Sequence, residues 1–278
     1  MTVGDVLKRS AQYLAARGVD SPRLDAELLL ARALGKTRIE LYTDYARPLS
    51  RGELQTYRAL ILRRGRREPL AYILGEWGFR RLTLATDRRA LVPRPETEVV
   101  VERCLELLRG VKRPDVLDVG VGSGAIALSI ADEHPGARVT AIDSSRDALA
   151  LAEENAERTG LAARVRFQEA DLHRGLGRGE YDLVVSNPPY VAAGEVETLQ
   201  PEVRDWEPRG ALVGEGTTEA VARAAVEALR PGGWLVLETA DGKAPEVATL
   251  LQELGFGAIR MTADLTERDR VVEGQKRE

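Results

Sequence analysis

The segment Ser186-Asn187-Pro188-Pro189-Tyr190 combines residue types that can hold a weak nucleophile. An asparagine side chain offers one carbonyl acceptor and one NH₂ donor. Successive prolines stiffen the backbone and leave carbonyls with no competing N–H beside them. Tyr190 adds a flat face with a polar tip. A planar NH₂ conjugated to a carbonyl or a ring is a poor nucleophile, because its lone pair is delocalised. Two acceptors, the Asn187 side-chain oxygen and the Pro188 backbone carbonyl, would grip its two N–H groups and hold the nitrogen in line with an electrophile. That is catalysis by proximity and preorganised electrostatics. Such a site also rejects substrates that lack the NH₂. Asn187 and Pro188 are therefore the candidate catalytic residues, and Asn187 to Tyr190 the candidate substrate-binding ones. Asparagine occurs only at 155 and 187, so its presence here needs a reason.

A second segment, Asp118-Val119-Gly120-Val121-Gly122-Ser123-Gly124, comes after an apolar run and precedes a helical one. Glycines there let the chain turn sharply and let a ligand approach the backbone. The helix N-terminus adds free N–H groups and partial positive charge. Asp143 lies 19 residues beyond Gly124, where a carboxylate can accept from ribose hydroxyls. Asp118, Gly120, Val121, Gly122, Ser123, Gly124 and Asp143 are the candidate cofactor residues. Gly120-x-Gly122-x-x-Ala125 also fits a dinucleotide pattern. The loop thus leaves a nicotinamide dinucleotide and S-adenosylmethionine both open, and Asp118 favours the methyl donor.

The elements that must position these segments fall into three regions. Residues 1–75 read as helices. Ser21-Pro22 starts one that ends at Gly35, and Ser50 with Glu53 forms a capping box for another. Residues 76–91 switch to alternation (Trp77 and Phe79, then Leu82 and Leu84), which predicts a hairpin linker. From 92 to 278, strands (115–119, 138–143, 165–169, 181–186, 234–238, 258–262, 269–273) alternate with helices (125–133, 147–159, 219–229, 245–254). Pro231-Gly232-Gly233 is expected to separate the third of these helices from the strand after it. This is the pattern of a doubly wound α/β sheet.

Composition sets the outer limits. The 278 residues are 44% hydrophobic and 30% charged, with a net charge of −4, which suits a globular chain and excludes disorder. The acidic balance argues against a general nucleic-acid coat; local contact stays open and is not expected. Cys104 is alone, so no intramolecular disulfide forms and a cysteine zinc site is excluded. His134 and His173 read as surface residues, Cys104 as a core residue, and no metal site is expected. The chain shows neither a signal segment nor a membrane span, so a cytoplasmic, monomeric protein is expected. Arg63, Arg64, Arg66 and Arg67 could meet RNA phosphates, dock a protein, or sit solvated at a helix end. Glu96 and Glu98 could act as bases, but Thr97-Glu98 reads better as a helix start.

Asp118–Gly124 together with Ser186–Tyr190 resembles the class I S-adenosylmethionine-dependent methyltransferases that act on NH₂ groups. Val92-Pro93-Arg94-Pro95-Glu96-Thr97-Glu98 narrows the likeness to the HemK/PrmC family of release factor glutamine methyltransferases. Pro69–Gly75 with Phe79, Leu24–Leu30, Glu207-Pro208 with Ala211-Leu212, and Asp269–Val272 are similar to that family too. The resemblance implies a Rossmann-like seven-stranded sheet with an antiparallel last strand, joined through the hairpin to a small all-α substrate-recognition domain. It implies methyl transfer from S-adenosylmethionine, leaving S-adenosylhomocysteine, to the glutamine amide in the Gly-Gly-Gln loop of class 1 peptide chain release factors. Gly120 to Gly124 would hold the cofactor with Asn187, Asp143 its ribose, and Asp171 and Leu172 would lie by the adenine. An adenine N(6)-methyltransferase acting on RNA or DNA is the alternative. The chain departs from the family pattern at Leu172, where tryptophan is common. After Glu238 it reads Thr239-Ala240-Asp241-Gly242-Lys243, which leaves Glu238 without an assigned role.

Overall fold

The computed structural model describes residues 1–172, 175–177 and 180–277; His173 lies outside them. Five helices open the chain: α1 (Val3–Ala15), α2 (Pro22–Leu34), α3 (Arg38–Thr43), α4 (Arg51–Gly65) and α5 (Leu70–Leu74). Next come β1 (Glu76–Phe79), β2 (Leu82–Ala85), α6 (Thr97–Leu107), β3 (Asp115–Val119), α7 (Ala125–Glu133), β4 (Arg138–Asp143), α8 (Arg146–Arg158), β5 (Val165–Glu169) and β6 (Tyr181–Ser186). The chain closes with α9 (Pro201–Arg204), α10 (Arg209–Leu212), α11 (Thr217–Ala228), β7 (Leu229–Glu238), α12 (Ala244–Glu253), β8 (Phe256–Ala263) and β9 (Asp269–Lys276). Two compact units result, Met1–Gly75 with Gln200–Trp206, and Glu76–Leu199 with Glu207–Glu278.

In the first unit the helices close over Leu14, Leu29, Leu30 and Leu41. The Ser50–Glu53 capping box forms as expected. Ser21 stands at the N-cap without a side-chain cap bond, and α2 starts on Pro22 as expected, whose fixed φ suits a first helical position. The arginine run is mostly spent inside this unit. Arg63 pairs with Glu68 at 2.6 Å, Arg64 with Asp25 at 2.6 Å and Glu202 at 2.8 Å, and Arg67 with Glu202 at 2.6 Å. Arg64 is buried, so its carboxylates compensate a charge that would otherwise be costly. Only Arg66 stands exposed outside these pairs.

In the second unit a mixed sheet runs β5-β4-β3-β6-β7-β9-β8. The first five strands in that order are parallel, and β9 lies antiparallel between β7 and β8. Strand residues alternate between two cores, as the pleat requires. Val116, Leu183, Val185 and Val236 face the core that holds residues of α6, α7 and α8. Leu117, Val184, Leu235 and Leu237 face the core that holds residues of α11 and α12. Cys104 is fully buried in the first. His134 is half-buried rather than exposed. Pro231 to Gly233 lie within β7, in the irregularity between the pairs Tyr181–Leu229 and Leu183–Trp234. The helix before them stops at Ala228.

The hairpin of β1 and β2 is part of this unit, not a free connector. Phe79 and Leu84 are buried in its first core. Asn155 on α8 is fully buried and ties the hairpin to the glycine loop. Its Oδ1 accepts from the Ala85 N–H at 2.6 Å, and its Nδ2 donates to the carbonyls of Ala85 at 3.1 Å and Ser123 at 2.9 Å. Replacing it with leucine strands three buried backbone groups. Asn155→Leu is expected to lose about 2–4 kcal/mol of stability in urea unfolding. A loss below about 1 kcal/mol would contradict this bracing role.

Candidate active site

Strands β3, β6 and β7 end at one level, since Val119 pairs with Ser186 and Ser186 with Leu237. Their ends therefore bring three features together: the glycine loop after β3, Asn187 after β6, and Glu238 at the end of β7. Ligands of open α/β sheets bind at this carboxyl edge. Here it borders a cavity of about 600 Å³. Gly120, Val121, Gly122, Ser123, Asp143, Asp171, Leu172, Asn187, Pro188 and Pro189 all line it. Asp118, Gly124 and Tyr190 do not.

The loop residues divide into cradle and support. Gly120 (φ +80°) and Gly122 (φ +54°) take conformations that favour glycine, and a Cβ on either would meet open space. Their missing side chains leave a bare backbone floor against which a flat or extended ligand can lie. Most N–H groups of the loop are already used. Those of Gly120 and Val121 donate to the Ile142 carbonyl, that of Gly124 to Val121, and that of Gly122 to Asp143 Oδ2 at 3.0 Å. Asp143 Oδ1 accepts from the Ser145 N–H at 2.9 Å. Each of its oxygens keeps a second lone pair for ribose hydroxyls. The cradle and this acceptor fit the nucleoside end of S-adenosylmethionine.

Gly124 supports from behind, where a Cβ would meet Leu128 at 2.9 Å and Ala152 at 3.3 Å. Asp118 is buried and accepts from the Ala127 N–H at 3.0 Å. It orders the turn into α7 and does not touch the cavity. Burial pushes its carboxyl up to about 7, the Ala127 N–H opposing and the Asp143 charge adding. Tyr190 is 41% exposed, beside the wall rather than in it.

The Asn-Pro-Pro segment is gripped on two sides. Val191 donates to the Leu212 carbonyl at 3.0 Å. A Cβ on Gly214 would meet the Pro189 carbonyl oxygen at 2.5 Å. Pro208, Gly210 and Ala211 form another part of the wall. Just before them stands Glu207, a buried carboxylate that holds Arg94 at 2.6 and 2.8 Å. That pair joins Pro-Arg-Pro to Glu-Pro across 113 residues. Sequence reasoning missed Gly214, whose lack of a side chain matters only through space. It noted Glu207 but not its partner. Glu98 accepts from the Arg80 N–H at 3.0 Å, a structural bond, and α6 begins at Thr97 as expected.

Two family models match: PrmC N-terminal domain over residues 5–75 and Methyltransferase small domain over residues 97–203. A protein of Geobacter sulfurreducens named release factor glutamine methyltransferase is 44% identical over 99% of this chain and 96% of its own length. The chain belongs to the release factor glutamine methyltransferase family. A Chlorobaculum tepidum relative of the same name is 43% identical over 97% of this chain and 95% of its own. Among solved structures, a methyltransferase of Pyrococcus furiosus is 19% identical and overlays with a TM-score of 0.50 over 71% of this chain and 90% of that one, a likeness of fold. The family is S-adenosylmethionine-dependent, which decides between the two cofactors the loop left open. The relatives support a glutamine and not an adenine as acceptor. Among the described residues no helix is long and apolar enough to cross a membrane.

Two outcomes test this architecture. Gly214→Ala is expected to displace Pro189 and cut methyl transfer at least about tenfold, with melting temperature falling by a few degrees; an unchanged rate would contradict the grip. The second concerns Asp118. Its folded pKa near 7 lies above the ordinary 3.8, so the folded chain holds this proton more tightly than the unfolded one, and stability falls as pH rises through that window. Asp118→Asn keeps an acceptor for Ala127 and removes the titration. Its stability relative to the unsubstituted chain is expected to increase from pH 4 to 7 and then level, and a pH-independent difference would show that the carboxyl is not perturbed.

Proposed function

We propose that this chain methylates the side-chain amide nitrogen of the glutamine in the Gly-Gly-Gln loop of class 1 peptide chain release factors. The observation that carries the reading is Asn187-Pro188 in the same cavity wall as the glycine cradle. When bound there, S-adenosylmethionine supplies a methyl group activated on a sulfonium. The chain's own residues do the remaining work. The Asn187 Oδ1 and the Pro188 carbonyl accept the two amide N–H groups and aim the nitrogen at the cradle. No hydrogen bond among the described residues occupies either acceptor. Gripping both N–H groups draws the nitrogen away from planarity and favours its lone pair for attack. The proton released from nitrogen leaves to water, and the site needs no strong base for it.

Pro189 and Tyr190 contact the substrate loop, Asp171 and Leu172 flank the adenine, and the 1–75 helical domain recognises the release factor. Leu172 offers aliphatic contact where an aromatic ring would stack. We take the working form as a cytoplasmic monomer.

Incubation with labelled methyl donor, a purified release factor, and the same factor with its loop glutamine changed to alanine tests the reading. Label on the first alone is the expected result. Label on both, or on total RNA or DNA instead, would overturn it.

A further inference from the structure

Glu238 and Thr97 take no direct part in gripping the amide nitrogen, yet both touch Asn187's surroundings. Glu238 is buried at the end of β7. The register of β6 and β7 sets it beside Asn187, one residue beyond the Ser186–Leu237 pair. Thr97 opens α6, is buried, and lines the cavity. The Thr97 Oγ1 donates to Glu238 Oε2 at 2.7 Å and accepts from Asn187 Nδ2 at 3.4 Å.

Proton counting sets the direction of this relay. An ionised carboxylate only accepts, and a hydroxyl has one proton to give. With that proton spent on Glu238, Thr97 can only accept from Asn187. The amide must then present its NH₂ to Thr97 and turn its Oδ1 the other way. We propose that Thr97 and Glu238 are positioning residues that lock the Asn187 amide with its oxygen directed at the substrate nitrogen. This rests on the glutamine reading above and assigns the part left open for Glu238.

The lock depends on Glu238 being ionised. A protonated Glu238 can donate to Thr97, which frees the hydroxyl to donate to Oδ1 and admits the flipped amide. Burial pushes the Glu238 carboxyl up to about 7; the Thr97 hydroxyl opposes, Glu96 adds, and Arg270 and Asn187 oppose. Tyr190 also faces this group. The lock is therefore set above neutrality and loosens below it.

The test uses the full chain, S-adenosylmethionine and a release factor, with the unsubstituted enzyme as control. Thr97→Val removes the hydroxyl and keeps the shape. Its kcat is expected to fall at least about tenfold, with cofactor Kd within about threefold and a melting temperature only a few degrees lower, since the buried Glu238 loses one donor. Thr97→Ser restores the hydroxyl and is expected to return kcat to within about threefold. Glu238→Gln cannot titrate and, like the protonated acid, can donate to Thr97, so the acid limb near pH 7 expected of the control is expected to vanish, leaving kcat near the control's low-pH value. The proposal is overturned by full kcat in Thr97→Val, by a loss that Thr97→Ser does not restore, or by an acid limb that persists in Glu238→Gln. Failure of the control itself to label glutamine would instead overturn the functional reading, so the two failures are distinct.

Discussion

The site depends on one constraint, the common level at which β3, β6 and β7 stop. Val119, Ser186 and Leu237 lie side by side in a parallel ladder. A one-residue shift of β6 would exchange its side chains between two differently filled cores. The alternation of Leu183, Val184 and Val185 between two cores fixes that register. The register in turn fixes where the glycine loop, Asn187 and Glu238 emerge. A hydrogen bond from Ser186 Oγ to the Val119 carbonyl, 2.7 Å long, ties two of the strand ends together.

Around this edge, buried polar groups set what the apolar cores leave free. Asn155 joins the hairpin to the glycine loop, and Arg94 with Glu207 holds another part of the wall. Both of the chain's asparagines thus serve the site, one by bracing the glycine loop and one by lining the cavity. Amides suit this work because each can donate and accept without carrying charge. Asn155 is fully buried, where an unpaired amide would be costly, so it specifies one arrangement of the hairpin and glycine loop.

Most of the fold was legible because its signals are local. Four strands, β3 to β6, and helix α7 fall on the residues their periodicity indicated. The errors have local causes too. Pro231–Gly233 read as a boundary because proline and glycine usually mark turns, whereas here they are absorbed into β7. Ser21 and Pro22, by contrast, take the N-cap and first helical positions as read, without a side-chain cap bond. The arginine run left RNA, a protein partner and solvent all open, because its carboxylate partners Asp25 and Glu202 are distant in sequence. Motif residues within the loops were visible from residue type alone. Asp118, Gly124 and Tyr190 were grouped with the cavity by adjacency, and their places depend on which side of the backbone faces the ligand. Thr97, Gly214 and the partner of Glu207 act through space, and no spacing rule marks them.

The central claim is that the Asn187 oxygen and the Pro188 carbonyl orient the amide nitrogen for methyl transfer. Single-turnover methyl transfer by Asn187→Ala, with cofactor and release factor both saturating, measures that step alone. The account predicts that the transfer rate falls by about a hundredfold or more while cofactor affinity stays within a few fold. A transfer rate close to that of the unsubstituted enzyme would contradict it.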